Sequence, residues 1–285
     1  MPERLLLCTD LDRTLLPNGP QPESPAARTH FATLAADPRV LLAYVSGRHR
    51  QLVEQAIAQY QLPQPDFVIG DVGTTLYHLE SATRWIADAT WHSHIDADWN
   101  GATNHDLLRL LADIDALQAQ EVSKQNSHKL SYYVKMDCDR AALDDAIHQR
   151  LQVQGVRART IWSVDEPAAT GLLDILPARA SKYHAIAMLE ALQGFTDANT
   201  VFSGDSGNDI EVLASSIPAI MVANSELEVQ AEALRQAAAG QHSDHLYIAR
   251  GGFHGMNGNY SAGILEGIVH YHPALESWMG LGVSR

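Results

Sequence analysis

Five short, nearly unbroken apolar runs punctuate the chain, and each stops at a small or polar residue. Residues 5–9 end at Asp10, residues 40–45 at Ser46-Gly47-Arg48, and residues 67–69 at Gly70-Asp71. Residues 200–203 end at Gly204-Asp205, and residues 219–222 at Ala223-Asn224. Runs this short with no alternation predict strands buried on both faces. Stretches with helical character lie between them, at residues 26–35, 50–60, 180–192, 209–214 and 226–238. Strands alternating with helices predict an α/β fold with a Rossmann-like parallel sheet covered on both sides. Such sheets bind ligands beyond the carboxyl ends of their strands, where the polar residues here collect.

The middle of the chain follows a different rhythm. Residues 85–91 read as strand, 106–118 as helix, 130–135 as strand, 140–153 as helix, and 158–163 and 172–176 as strands. This order predicts a small α+β module at residues 80–177, inserted into a larger domain built from residues 1–79 and 178–285. The glycine-rich stretch 251–258 predicts a surface loop.

Composition narrows the function classes. Hydrophobic residues make up 46% of the 285, enough for a sizeable core. The formal charge of −14 argues against a sequence-independent grip on nucleic acid and against an anionic membrane surface. Two cysteines, Cys8 and Cys138, are too few for a disulfide framework. No signal peptide and no membrane-length apolar stretch is legible, which predicts a cytoplasmic protein.

The polar residues at the strand ends carry the candidate chemistry. Asp10 and Asp12 end the first strand two residues apart, so both carboxylates lie on one side while the backbone stays extended. Crowded carboxylates need a metal, a shared proton or a division of labour. Alone, the pair reads slightly better as a solvated turn at a strand end. Asp205 and Asp209, in Gly204-Asp205-Ser206-Gly207-Asn208-Asp209, add two more carboxylates at the same sheet edge. Hard oxygen donors with room for water suit Mg²⁺. Ser46-Gly47 opens a helix and offers backbone N–H groups and a hydroxyl to an anion, although an N-cap serine is the plainer reading. Lys182 stands at a helix start, where its charge opposes the helix dipole; buried carboxylates nearby would justify that placement.

These four pieces, in this order, resemble the haloacid dehalogenase superfamily of phosphatases. The resemblance implies that Asp10 attacks phosphorus and that Asp12 protonates the leaving oxygen, then activates water. It implies that Ser46, Gly47 and Asn208 hold the phosphoryl oxygens and that Lys182 steadies the nucleophile. It also implies Mg²⁺ held by Asp10, Asp205, Asp209 and the backbone carbonyl of Asp12. The inserted module resembles the α+β cap of the subgroup that includes sucrose-phosphate phosphatases. Softer matches are residues 72–78 at the entry to the module, 128–132 in a sugar-facing strand, and 261–268 in a closing helix. Arg13, Thr75 and Tyr183 depart from the family's usual residues.

The substrate implied is a small sugar phosphate, sucrose 6-phosphate first. Other phosphorylated disaccharides or glycosides, such as mannosylfructose phosphate or glucosylglycerol phosphate, come next. A phosphomutase and a non-catalytic regulatory module are the rival readings, and the upstream sugar-phosphate synthase is a conceivable partner. Alternation in residues 128–134 places Lys129, Ser131 and Tyr133 on one face, where with Arg48 they could meet the sugar. The paired histidines at 92/94, 242/245 and 270/272 read as surface or half-buried side chains, since no cysteine joins them. Trp85, Trp91, Trp99 and Trp162 read mostly as core, with one free to stack on a sugar ring.

Overall fold

A computed structural model of the protein describes residues 3–165 and 168–281. In chain order it runs β1 (Leu5–Thr9), α1 (Ala27–Ala35), β2 (Val40–Val45), α2 (Arg50–Tyr60), β3 (Phe67–Gly70), β4 (Thr75–Ser81) and β5 (Arg84–Ala87). Next come α3 (Ala89–Asp96), α4 (Asn104–Leu110), β6 (Gln118–Ala119), β7 (Leu130–Val134), α5 (Arg140–Val153), β8 (Ala158–Asp165) and β9 (Thr170–Pro177). The chain ends with α6 (Lys182–Gln193), β10 (Thr200–Gly204), α7 (Ile210–Leu213), β11 (Ala219–Met221), α8 (Leu227–Ala239), β12 (Leu246–Ile248) and α9 (Ser261–Tyr271). Two compact units result, 1–87 with 182–285, and 88–181.

The large unit is an eight-stranded sheet in the order β12-β11-β10-β1-β2-β3-β4-β5. The six strands from β12 to β3 are parallel, and β4 and β5 extend the sheet antiparallel. All five residues of β1 are buried, as a strand covered on both faces requires. Phe31 and Leu34 on α1 and Val53 and Ile57 on α2 join its core, as do Ile264 and Ile268 on α9. A Cβ on Gly267 would lie 2.4 Å from the Ile220 side chain, so a glycine lets α9 seat directly on β11. Because β1 pairs with both β10 and β2, the residues that follow these three strands emerge side by side. The ladder runs on into the loops: Asp10 N–H donates to the Ser203 carbonyl at 2.8 Å, and Ser46 N–H to that of Ile69 at 2.8 Å.

The smaller unit has a four-stranded antiparallel sheet in the order β6-β7-β9-β8. Leu130, Tyr132 and Val134 of β7 face a core shared with Leu173 and Ile175 of β9. Leu143, Ile147 and Leu151 of α5, spaced one helical turn apart, complete it. Asp98, fully buried, takes the Arg179 N–H at 2.8 Å and the guanidinium groups of Arg157 and Arg179. That cluster joins the first part of this segment to its last.

Three sequence expectations need correction. Residues 85–91 are not one strand: β5 ends at Ala87, and Trp91 sits on α3, whose Asp88 side chain caps the Trp91 N–H at 2.7 Å. With Trp91 and Ile95 both buried, the apolar spacing there is helical. β4 and β5 belong to the large sheet, so the units divide after Ala87, not after residue 79. The helix expected at 106–118 is the shorter α4, started by a Thr103–Asp106 capping box; Gln118 and Ala119 pair with β7 instead. Among the described residues, no helix is long and apolar enough to cross a membrane.

Candidate active site

Lys182 is the centre of charge at the ends of the strands. It is the first residue of α6 and is 3% exposed. Its Nζ donates to Asp209 Oδ1 at 2.6 Å, Asp10 Oδ1 at 2.9 Å and Asn208 Oδ1 at 3.0 Å. Burial alone would push its proton off, but the two carboxylates outweigh burial and hold the ammonium well above its ordinary range. Buried carboxylates thus compensate the unfavourable placement at a helix start.

Asp10, Asp205 and Asp209 are all buried, and one carboxylate oxygen from each lies within 4.8 Å of the others. Among the described residues this is the one such grouping, and no trio of histidines forms another. Burial pushes the Asp10 carboxyl well up; Lys182 pulls it back, while Asp209 and Asp205 push it up further. Asp205 rises to about 7, first from burial and then from Asp209, against the Thr14 hydroxyl at 2.9 Å and Arg13. Three buried hard-oxygen donors crowded this closely are what a small divalent cation relieves, so the residues present fit Mg²⁺.

The turn after β10 is shaped around Asp209. Its Oδ2 accepts the N–H groups of Asp205 at 3.2 Å and Ser206 at 3.1 Å, and the Ser206 hydroxyl at 3.1 Å. A Cβ on Gly204 would stand 2.7 Å from the Asp209 carboxyl carbon, so only glycine lets the strand end so close to that side chain.

Asp12 lies apart from the trio. Arg48 grips it at two points, Nη2 to Oδ1 at 2.6 Å and Nε to Oδ2 at 2.7 Å, and Asn18 Nδ2 adds a third bond at 2.7 Å. Burial raises the Asp12 pKa, but the Arg48 hydrogen bonds and charge more than offset it, and the carboxyl sits below its usual range. The Arg48 guanidinium, read from sequence as a sugar contact, is thus engaged with Asp12.

Ser46 is 1% exposed, and its Oγ accepts the Arg48 N–H at 3.2 Å. A Cβ on Gly47 would meet nothing closer than Val72 Cγ2 at 3.9 Å. The turn after β3 braces this loop: Val72 N–H donates to the Ser46 carbonyl at 3.2 Å, and Asp71 N–H to that of Arg48 at 3.0 Å. Asp71 and Val72 hold φ of 50° and 61°, and a β-branched residue there is strained, as local outliers beside functional loops often are.

Sequence reading missed Asn18, Thr14, Asp71 and Val72. Thr14 belongs to the Asp-Leu-Asp-Arg-Thr-Leu segment, Asp71 ends the apolar run at 67–69 and Val72 opens the 72–78 match, so these three carried a signal without a role; Asn18 had none. In the smaller unit, Ser131 Oγ donates to Asp174 Oδ1 at 2.5 Å, and Tyr133 Oη to the Glu121 carboxylate at 2.9 Å. Ser131, Tyr133 and Asp174 share the sheet face opposite the apolar core, and Lys129 is nearly buried at the start of β7. Trp91 and Trp99 are fully enclosed, which leaves neither free to stack on a sugar.

Comparisons with known proteins identify the family. Residues 3–272 match the model of the sucrose-6F-phosphate phosphohydrolase family. A HAD-like hydrolase of Nitrosococcus oceani is 53% identical over 99% of this chain and 76% of its own length. Mannosylfructose-phosphate phosphatase of Agrobacterium fabrum is 29% identical over 93% of this chain and 96% of its own. The crystal structure of the sucrose-phosphatase from Synechocystis sp., in complex with sucrose and phosphate, superposes with a TM-score of 0.72 at 25% identity. It covers 94% of this chain and 98% of that one. Other curated relatives are longer, and this chain spans 31% to 59% of their length. With its parallel-sheet core, its inserted α+β unit and a match over nearly its whole length, the chain belongs to the sucrose-6F-phosphate phosphohydrolase family of HAD phosphatases.

Proposed function

We propose that the protein hydrolyses a sugar phosphate, with sucrose 6-phosphate the best single substrate, through a phosphorylated Asp10. The observation that carries this reading is the Lys182 ammonium bridging Asp10 and Asp209 inside a buried carboxylate trio. A carboxylate so placed is a nucleophile with its developing charge change already matched by a fixed cation.

In the proposed sequence an Asp10 oxygen bonds to phosphorus as the bond from phosphorus to the sugar oxygen breaks. Asp12 gives that oxygen its proton. Asp12, now ionised, takes a proton from water, the water oxygen attacks phosphorus, and Asp10 leaves with inorganic phosphate as product. The Arg48 fork holds Asp12 in the ionised form that the second step needs. To act as acid in the first step, Asp12 must loosen that grip and carry a proton. Ser46, Gly47, Asn208 and Lys182 are assigned to the phosphoryl oxygens. Asp10, Asp205, Asp209 and the Asp12 carbonyl would hold Mg²⁺, which when bound offsets charge on the phosphoryl group.

The leaving group is assigned to the inserted unit, with Lys129, Ser131 and Tyr133 as candidates. A mannosylfructose phosphate substrate stays beside sucrose 6-phosphate because the Agrobacterium enzyme aligns over nearly its full length. The test is a phosphate-release panel with Mg²⁺ over sucrose 6-phosphate, mannosylfructose phosphate, glucosylglycerol phosphate and simple hexose phosphates. Release from one disaccharide or glycoside phosphate well above the rest, abolished in a folded Asp10→Asn, is expected. Turnover that needs a sugar bisphosphate would indicate a mutase, and turnover that survives in Asp10→Asn would remove the mechanism.

A further inference from the structure

Arg13 occupies a position that its backbone does not favour. Its φ is 57°, in the left-handed region where a residue other than glycine, asparagine or aspartate is uncommon. The conformation is enforced from both sides: Asn18 Oδ1 accepts the Arg13 N–H at 2.7 Å, and Asn224 Nδ2 donates to the Arg13 carbonyl at 2.6 Å. Glycine would fill this turn without strain, so the side chain calls for an explanation.

That side chain reaches the carboxylate trio. Arg13 Nε lies 3.6 Å from Asp205 Oδ2, and Nη1 donates to Glu226 Oε1 at 3.2 Å. Nε is buried and has no hydrogen-bond partner among the described residues, so it faces Asp205 as a charge without being spent on a close bond. Glu226 anchors the far end of the guanidinium at the protein surface. With all three carboxylates ionised, as metal binding requires, Lys182 leaves the trio two negative charges in excess, and Arg13 sets a positive charge, shared with Glu226, beside it.

We infer that Arg13 is a positioning residue that acts through Asp205 as a rival cation, weakening the resting grip on Mg²⁺ and strengthening that of the metal-loaded site on a phosphoryl dianion. The inference rests on the reading of the trio as a metal site. The physics is the sign of one charge. A fixed cation beside a ligand repels an incoming cation; once the metal is in place, the same charge attracts the anion that follows. Metal and substrate phosphate thereby bind more nearly as a pair.

The experiment is titration calorimetry on Arg13→Gln, first with Mg²⁺ and then with inorganic phosphate at saturating Mg²⁺. Mg²⁺ should bind about two- to fivefold tighter and phosphate about two- to fivefold weaker, the range of a half-exposed ion pair. Both changes should persist at about 0.3 M KCl, where long-range fields are screened. Arg13→Lys, which keeps the charge, should return both values toward wild type, and Arg235→Gln on α8 should move neither. If Arg13→Gln weakens both ligands, the residue serves only to shape the turn and the inference fails. It fails equally if Mg²⁺ affinity is unchanged. An absence of Mg²⁺ binding by the wild-type protein would instead overturn the metal reading on which the inference rests.

Discussion

Arg48 and Asp12 form a two-point ion pair, with Nη2 2.6 Å from Oδ1 and Nε 2.7 Å from Oδ2, across 36 positions of sequence. The fork fixes the plane of the Asp12 carboxylate, and in the proposed mechanism that plane sets where its proton is given or taken. Arg48→Ala should lower kcat/KM for the sugar phosphate by about ten- to a hundredfold, the worth of a charge-assisted bond. Hydrolysis of p-nitrophenyl phosphate, whose leaving group needs little protonation, should fall much less. Equal losses on the two substrates would place Arg48 on the phosphate instead.

Removing Lys182 isolates buried negative charge. Lys182→Ala should destabilise the metal-free protein by about 3–5 kcal/mol, the usual cost of breaking a buried ion pair from one side. Mg²⁺ should restore a large part of the lost melting temperature in the variant. Activity should stay low even then, because the metal replaces the charge but not the bond to Asp10. A thermal melt unchanged by the substitution would contradict the bridging role.

Chelation tests the trio directly. EDTA should stop phosphate release and Mg²⁺ should restore it. Ca²⁺ should restore it poorly, since its longer and looser coordination misplaces the nucleophile. Full turnover in chelator would refute the assignment of Asp10, Asp205 and Asp209 to a cation.

Lys129 tests where discrimination arises. Lys129→Ala should reduce kcat/KM for the disaccharide phosphate by about ten- to a hundredfold while scarcely affecting p-nitrophenyl phosphate. No loss on either substrate would remove Lys129 from recognition. Equal losses would show that this nearly buried side chain supports the fold.

Glu190 on α6 predicts a pH dependence of stability that is separate from catalysis. It is buried, and its Oε1 has no hydrogen-bond partner among the described residues. Burial lifts its pKa above the ordinary value. The folded protein therefore holds that proton to higher pH than the unfolded chain does. Stability tied to Glu190 is then present in acid and lost as pH rises from the ordinary carboxyl range through the raised folded pKa. Glu190→Gln lacks this loss, so its melting temperature should gain on wild type as pH rises above the ordinary carboxyl range. A constant difference as pH rises would mean Glu190 ionises normally.

Much of this was legible in the chain because burial and strand termination are local properties. The apolar runs before Asp10, Ser46 and Asp205 marked buried strands, and the residues after them marked the edge where the site forms. Helix limits inside the inserted unit were not legible. Trp91 and the segment after Leu110 satisfy more than one periodicity until a neighbouring strand or cap selects one.

Pairing was decided only in three dimensions. Asp10 and Lys182 meet across 172 positions, Thr14 and Asp205 across 191, and Arg48 turns to Asp12 instead of standing free. Sequence alone established the strand ends and the kinds of group they carry. Sheet order brought β1, β10 and β2 side by side, and only then did each charge acquire a partner. Hydrophobic periodicity records which face of an element is buried; it holds no record of which other element lies against that face.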